Sequence, residues 1–437
     1  MKYHVKTFGC QMNEHDSETL AGLMETIGYQ QSNSLEDCDA IIVNTCCIRE
    51  SAENRILGFV GNLKNLKKEK PSLIIAVGGC MTQQPGAAEK LRKKASHVDI
   101  IFGTHNLFRL PYFVTKIQNG SNPIIEIINN NGNIQENLPI KRVDKIKAQV
   151  TITYGCNNYC SYCIVPYVRG RERSRDPLDI KNEIEQLAKN NYREIMLLGQ
   201  NVNSYGLDLK EQLDFADLLS MLDTVNGIER IRYMTSHPRD FNKKLIDTIA
   251  KSHKVCEHFH LPIQAGSNKI LKKMNRGYTR DTYLKLIENI RNRFSYSSIT
   301  TDIIVGFPGE TSGDFNETMD LIKEVEFDAA YTFLYSSRSG TPAANLPDQV
   351  PLDLKKTRLQ QLMNEQNSIS FNINRKLIGS IEEILVEGIS KTKDNMLTGR
   401  TRTNKIVNFP GSIDLIGNLV QIKITNAKTW HLEGEII

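Results

Sequence analysis

At 437 residues, with 40% hydrophobic and 24% charged side chains, the chain has the composition of a globular protein and the length of two or three domains. No apolar run is long enough to cross a bilayer and polar residues are scattered through the N-terminus, so no membrane span and no signal peptide are expected, and a cytosolic (cytoplasmic) location is. A formal net charge of +5 permits contact with phosphates without requiring it, and nine cysteines in a reducing compartment argue for metal binding or catalysis over a disulfide framework.

From residue 1 to about 105, short apolar runs alternate with amphipathic helical stretches: VKTF (5–8), DAIIVNT (39–45), LIIAVGG (73–79) and DIIF (99–102). This predicts an open parallel α/β domain over residues 1–118. The first three runs lead straight into Cys10, Cys46 and Cys80, separated by 36 and 34 residues, about one βα repeat each. Ligands of open parallel sheets gather beyond the carboxyl ends of the strands, so the three thiols are expected to converge. An Asn- and Gly-rich stretch, followed by Lys141, Arg142, Lys145 and Lys147, reads as a linker or hairpin over 119–145.

Six further strand-like runs then alternate with helices: 148–155, 194–199, 230–236, 258–263, 298–306 and 329–336. They predict a partial (β/α)6 barrel over 146–370, ending in a connecting helix after Pro351. Asp176 and Pro177 mark one helix start, and Asp314 with Glu317 stands at capping-box spacing for another. Residues 371–437 offer short β-like runs broken by Gly, Asn and Lys, the pattern of a small all-β barrel.

The strongest chemical signal is Cys156-Asn-Asn-Tyr-Cys160-Ser-Tyr-Cys163, set directly after a strand. Three thiolates hold three irons of a [4Fe–4S] cluster and leave the fourth iron open to an exchangeable ligand, the arrangement that splits S-adenosylmethionine (SAM). A structural zinc site needs a fourth ligand, for which His237 or His260 would have to approach in the fold. Gly199-Gln200-Asn201, Ser236-His237, Gln264 and Gly306-Phe307-Pro308 end four other barrel strands. Each alone is an ordinary turn before a helix; together, on the face where barrels place their chemistry, they predict a cradle for SAM.

Cys10, Cys46 and Cys80 read either as a second cluster site or as buried structural thiols. Cys38 and Cys256 have only the structural reading, and Cys47 is ambiguous. Arg169, Arg171, Arg173 and Arg175 alternate in VRGRERSR and suit phosphate contact, or else form a solvated loop around Glu172. Trp430 is either a base-stacking residue or a core residue.

Nearly the whole chain resembles the methylthiotransferases, most closely their tRNA-modifying branch. The resemblance is carried by GCQMN (9–13), NTCCIRE (44–50), GGCMTQQ (78–84), GCNNYCSYCIVPYVRGRE (155–172), GQNVNSYG (199–206), TSHP (235–238), MNRGYT (274–279), TDIIVGFPGET (301–311) and YSSRSGTPAA (335–344). Cys47 stands where that family usually has a small residue other than cysteine, and Ala265 where it usually has serine. The resemblance implies two [4Fe–4S] clusters, one at Cys156, Cys160 and Cys163 and one at Cys10, Cys46 and Cys80, with SAM as radical source and methyl donor. It further implies a C-terminal TRAM domain that binds tRNA and a substrate adenosine 37, already dimethylallylated (isopentenylated), in the anticodon stem-loop. An electron donor such as flavodoxin and its reductase, a sulfur donor and a monomeric enzyme complete the expectation. RNA contacts are expected from Arg169, Arg171, Arg173, Arg400, Arg402 and Trp430. The rival readings are a methylthiotransferase acting on threonylcarbamoyl-adenosine or on a ribosomal-protein aspartate, and a non-catalytic iron-sulfur RNA-binding protein.

Overall fold

The computed structural model of the chain describes residues 1–47, 50–129, 134–390 and 395–437. Ile48 and Arg49 of the NTCCIRE segment, and part of the expected linker, lie outside the described residues.

The N-terminal region runs β1 (Lys2–Thr7), α1 (Gln11–Thr26), β2 (Gln30–Gln31), β3 (Ala40–Thr45), α2 (Glu50–Glu69), β4 (Ile74–Gly79), α3 (Ala87–Lys94), β5 (Ile100–Phe102), α4 (Leu110–Gln118) and β6 (Ile124–Glu126). Its six strands form one parallel sheet in the order β2-β1-β3-β4-β5-β6. Every residue of β3 and β4 is buried, because helices cover both faces, which is why these strands read as unbroken apolar runs. One apolar cluster holds Ile41, Val43, Ile75 and Val77, and a second, holding Ile42, Ala76 and Ile100, includes residues of α1 and α4. The strand order reverses between β1 and β3, the switch point where a doubly wound sheet opens a crevice. Cys10 follows β1 and Cys46 follows β3, so the sequence places two cysteines at that crevice.

The central region begins with β7 (Lys147–Thr151), β8 (Thr153–Tyr154), α5 (Val165–Val168), β9 (Arg173–Ser174), α6 (Pro177–Lys189), β10 (Glu194–Leu198), α7 (Phe215–Asp223), β11 (Arg230–Tyr233) and α8 (Lys243–Lys251). It continues with β12 (His258–His260), α9 (Asn268–Lys273), α10 (Arg280–Arg293), β13 (Ser298–Val305), α11 (Ser312–Val325), β14 (Ala329–Leu334) and α12 (Leu352–Arg375). Strands β7-β10-β11 and β12-β13-β14 are two parallel three-stranded sheets. Residues 254–256 join them by Ile231 N–H to Lys254 O (2.8 Å) and Cys256 N–H to Ile231 O (2.9 Å). The result is the expected six-unit open barrel. Helix α1 packs against β7 at one margin and α12 against β14 at the other.

Asp176 caps α6 as expected, accepting from the amides of Leu178 and Asp179, with Pro177 in the first turn. The cap of α11 is corrected: Thr311 is the N-cap and Asp314 its reciprocal partner, one turn before the Asp314–Glu317 pair read from spacing. The extended backbone of Thr311 gives its hydroxyl the geometry to receive the Asp314 amide. Helix α12 runs on to Arg375, past residue 370, and its C-terminal part meets β18 of the last region.

That region is a closed five-stranded barrel of β15 (Ile381–Ile389), β16 (Met396–Thr401), β17 (Ile406–Pro410), β18 (Leu419–Ala427) and β19 (Leu432–Ile436), in the order β15-β16-β17-β19-β18. Its β16–β17 turn presses on the N-terminal ends of the central strands. Buried Arg232 bonds to Glu194 (2.7 Å) and donates to the carbonyls of Thr401 (2.7 Å) and Arg402 (2.8 Å). Fully buried Arg230 reaches the carbonyls of Arg400 (2.6 Å) and Glu383 (2.9 Å). Among the described residues no helix is long and apolar enough to cross a membrane.

Candidate active site

Three cysteines stand at the carboxyl ends of β1, β3 and β4. Cys10 is the N-cap of α1, and its sulfur lies 3.7 Å from Asn13 Oδ1; Cys80 Sγ lies 3.9 Å from the same oxygen. Cys46 is buried beside them, its Cβ facing Gly9. A side chain at Gly9 (φ +139°) would come within 2.9 Å of that Cβ, so only glycine lets the first two cysteines approach. Cys47 is fully buried and donates to Cys80, which raises its own pKa well above the usual thiol range. The Cys80 pKa is drawn down to about 6, chiefly by that hydrogen bond; burial opposes the shift and the Arg169 charge assists it.

Cys156, Cys160 and Cys163 line the loop after β8. The loop is anchored by Cys156 N–H to Gly170 O (3.1 Å), Ser161 N–H to Met274 O (3.0 Å) and Ser161 Oγ to Lys273 O (2.7 Å). Gly155 (φ +75°) allows the turn into it, since a Cβ there would strike the Arg171 carbonyl at 2.2 Å. Burial pushes Cys156 up to about 11 and Cys163 up to about 12, with the neighbouring thiols adding to both. Metal-free Cys156 and Cys163 are therefore neutral thiols that give up their protons on binding metal. Arg276 Nη1 donates to Cys160 Sγ at 3.3 Å.

Beside this loop lies a cavity of about 130 Å³ lined by Asn157, Asn158, Glu172, Asn201, Ser204 and Asp240. Glu172 accepts from Ser204 Oγ (2.6 Å), and burial pushes its pKa up to about 7. A larger cavity of about 380 Å³, lined by Glu257, Arg293, Tyr296, Glu382 and Arg402, lies at the opposite end of the barrel strands, away from both triads.

The other strand-end residues occupy the same face. Gly199 is buried with Thr153 Cγ2 2.4 Å from where its Cβ would be, and Gln200 is half-buried. Asn201 is spent inside the protein, donating to Asp240 (2.7 Å) and accepting from the His237 amide (3.1 Å). Ser236 Oγ and His237 Nε2 are buried with no hydrogen-bond partner among the described residues, and burial, Arg276 and Arg239 hold His237 neutral. Gln264 is buried with a left-handed backbone (φ +72°). Gly306 donates to Glu310 (3.0 Å), and Pro308 is buried three residues after the end of β13. His260 lies inside the barrel, bonded to Thr300 (3.0 Å). Among the described residues no three His, Cys, Asp or Glu side chains are grouped to hold a single metal ion.

The arginine run is corrected in part. Arg169 is buried and crosses to the N-terminal region, bonding to Cys80 Sγ (3.2 Å), Asn13 (3.2 Å) and Asp16 (2.6 Å). Arg175 is buried against Glu136 and Glu183, and Arg173 lies over the Tyr154 ring. Only Arg171 of the four is exposed. Arg402 grips Glu257 with both nitrogens (2.9 and 2.7 Å) and Arg400 faces Glu387 (3.4 Å), so both serve contacts within the chain instead of standing free for phosphate. Trp430 is 60% exposed and so is not a core residue. Asn13, Asp16 and Arg276 were not singled out in the sequence, although Asn13 and Arg276 sit inside the GCQMN and MNRGYT segments.

Residues 2–103 match a model described as uncharacterized protein family UPF0004, 150–322 the radical SAM superfamily and 375–437 the TRAM domain. The tRNA-2-methylthio-N(6)-dimethylallyladenosine synthase of Natranaerobius thermophilus is 55% identical over 100% of this chain and 96% of its own length. That of Carboxydothermus hydrogenoformans is 53% identical over 100% of this chain and 99% of its own. Among solved structures, the radical SAM methyltransferase TsrM of Kitasatospora setae shares the fold at TM-score 0.56 and 13% identity, covering 90% of this chain and 79% of that one. Full-length identity above one half, over all three regions, leaves one conclusion: the chain belongs to the family of tRNA-2-methylthio-N(6)-dimethylallyladenosine synthases, radical SAM enzymes.

Proposed function

We propose that the chain converts N(6)-(dimethylallyl)adenosine at position 37 of tRNA to its 2-methylthio derivative. The observation that carries this reading is the pair of cysteine triads, one at the carboxyl ends of three parallel strands and one on the loop after β8, linked by one segment: the stretch after Cys163 buries Ile164 and, in α5, Val168 in the N-terminal core and ends at Arg169 against Cys80.

The radical SAM match implies SAM and a [4Fe–4S] cluster. Cys156, Cys160 and Cys163 fit that group: three buried or half-buried thiols on one loop, with an N–H donor at one sulfur. When bound, cluster and SAM supply one-electron chemistry able to break an unactivated C–H bond, which acid-base groups cannot do at neutral pH. The 130 Å³ cavity is below the ~300–1,000 Å³ of whole-ligand pockets and suits the amino-acid end of SAM, its carboxylates and amides offering partners for both charged groups. On the same test Cys10, Cys46 and Cys80 fit a second [4Fe–4S] cluster that handles the sulfur, with Asn13 and Arg169 as polar neighbours. An electron donor such as flavodoxin with its reductase and a source of sulfur complete the reaction, carried out by a monomer in the cytoplasm.

Mass spectrometry of tRNA nucleosides from cells lacking the protein tests the substrate. Loss of the methylthio group from dimethylallyl-adenosine is expected; an unchanged level sinks the reading, and loss from threonylcarbamoyl-adenosine instead would transfer it to that nucleoside.

Trp430 and Arg171 are sequence-predicted RNA contacts that stand exposed, Arg171 with no ion pair among the described residues. Stacking on an aromatic ring is worth about 1–3 kcal/mol per base, so Trp430→Ala is expected to weaken tRNA binding by roughly tenfold. Arg171→Gln should lower the salt slope of binding by about one, as for a lost phosphate contact. Arg402→Gln should leave that slope unchanged. Anisotropy titrations over a salt series separate the three.

A further inference from the structure

Each triad has one buried arginine donating to one of its sulfurs. Arg169, 5% exposed, reaches Cys80 at 3.2 Å, and Arg276, 4% exposed, reaches Cys160 at 3.3 Å. The two arginines differ in what else they touch. Arg169 is paired with the carboxylate of Asp16 at 2.6 Å. Among the described residues the other partners of Arg276 are neutral oxygens: Pro262 O (2.8 Å), Tyr278 Oη (3.0 Å) and Tyr162 Oη (3.4 Å). One arginine therefore presents a largely neutralised charge to its sulfur and the other a bare one.

We propose that Arg169 and Arg276 are positioning residues that set the reduction potentials of the two clusters apart, so that the incoming electron resides at the Cys156/Cys160/Cys163 cluster. The inference rests on the two-cluster reading above. Reduction adds one negative charge to a cluster, and hydrogen bonds to its sulfurs and nearby buried cations favour the reduced form. Arg276 gives that help in full. Asp16 cancels most of it at Cys80, so the cluster that handles sulfur stays oxidised while the cluster that meets SAM is reduced. The electron comes from the same donor that the reaction already requires.

The test is an EPR-monitored redox titration of anaerobically reconstituted full-length protein, each cluster being read in a chain whose other triad is changed to alanine. Iron content is measured first: about eight irons per wild-type chain are expected for two [4Fe–4S] clusters, and about four would sink the two-cluster reading rather than the role of the arginines. Given about eight irons in the wild-type chain, Arg276→Gln should shift the Cys156/Cys160/Cys163 potential negative and leave the other, read in its own single-cluster chain, unmoved. Arg169→Gln should shift the Cys10/Cys46/Cys80 potential negative by a smaller amount. Asp16→Asn, which leaves the thiolate bond intact and unmasks the arginine, should shift that same potential positive. Opposite signs for Arg169→Gln and Asp16→Asn cannot come from loosened packing alone, and Asp16→Asn carries the test if Arg169→Gln fails to fold. Unmoved potentials in both arginine variants, or a negative shift in Asp16→Asn, would overturn the proposal.

Discussion

Cys156→Ala is expected to reduce 5′-deoxyadenosine formation by the reconstituted, reduced protein to background, while Cys80→Ala continues to cleave SAM and yields no methylthiolated tRNA. The asymmetry follows from the fold. The loop bearing Cys156 is anchored on the barrel through Gly170 and Met274, whereas Cys80 ends β4 of a separate sheet with its own core. Removing one of three ligands from either set frees a second iron and should cost that cluster, but the backbone bonds that anchor the loop after β8, at Gly170 and Met274, do not involve the Cys80 thiolate. Cys47 complicates this because it already bonds to Cys80. In Cys80→Ala it stands close enough to act as a replacement ligand, so the double variant Cys47→Ser/Cys80→Ala is the stricter form. Liquid chromatography of 5′-deoxyadenosine and mass spectrometry of the tRNA read the two outcomes separately. SAM cleavage surviving in Cys156→Ala, or abolished in Cys80→Ala with the first cluster intact, would show that the roles of the triads have been exchanged or merged.

Arg232→Ala should produce the largest loss of stability. The guanidinium is 2% exposed and its partner Glu194 is 3% exposed, at 2.7 Å. Removing one member of a buried pair leaves the other charged and desolvated, at a cost of about 3–5 kcal/mol. The same substitution frees the Thr401 and Arg402 carbonyls, each a lost donor to the C-terminal barrel. For a unit of 150–250 residues about 1 kcal/mol moves the melting temperature by roughly 2–4 °C, so a drop of about 10 °C in the transition that releases the C-terminal barrel is expected by calorimetry. Glu194→Gln/Arg232→Met, which removes both charges and keeps the volume, should recover much of it. If the single and double variants melt alike, the ion pair is not what holds the junction.

Much of the architecture was legible in the chain because its signals are local. An apolar run followed by glycine and cysteine names a strand end, and three repeats of about one βα unit place Cys10, Cys46 and Cys80 on one edge of a parallel sheet wherever the helices lie. The CNNYCSYC loop carries its own spacing, and Asp176-Pro177 marks a helix start within two residues. Spacing alone sets the α11 cap one turn late, because a threonine hydroxyl and an aspartate three residues on satisfy the same pattern as the pair that follows.

The arginines show where local reading stops. Alternation in VRGRERSR predicts charges on one side of an extended loop, and that is as far as spacing goes; whether such a side faces RNA or the interior depends on where the carboxylates are. Asp16 lies 153 residues from Arg169, and Glu257 lies 145 from Arg402. For Arg169 and Arg402 the counter-charge that makes burial tolerable is that distant carboxylate, and only the folded chain brings the two together. So the sequence by itself determined the two cysteine triads and the three kinds of domain, through periodicity and spacing. The tertiary structure alone decided that Arg169 and Arg276 turn inward to the thiols and Arg402 to the domain junction, because pairing across such separations is set by packing and not by the order of residues.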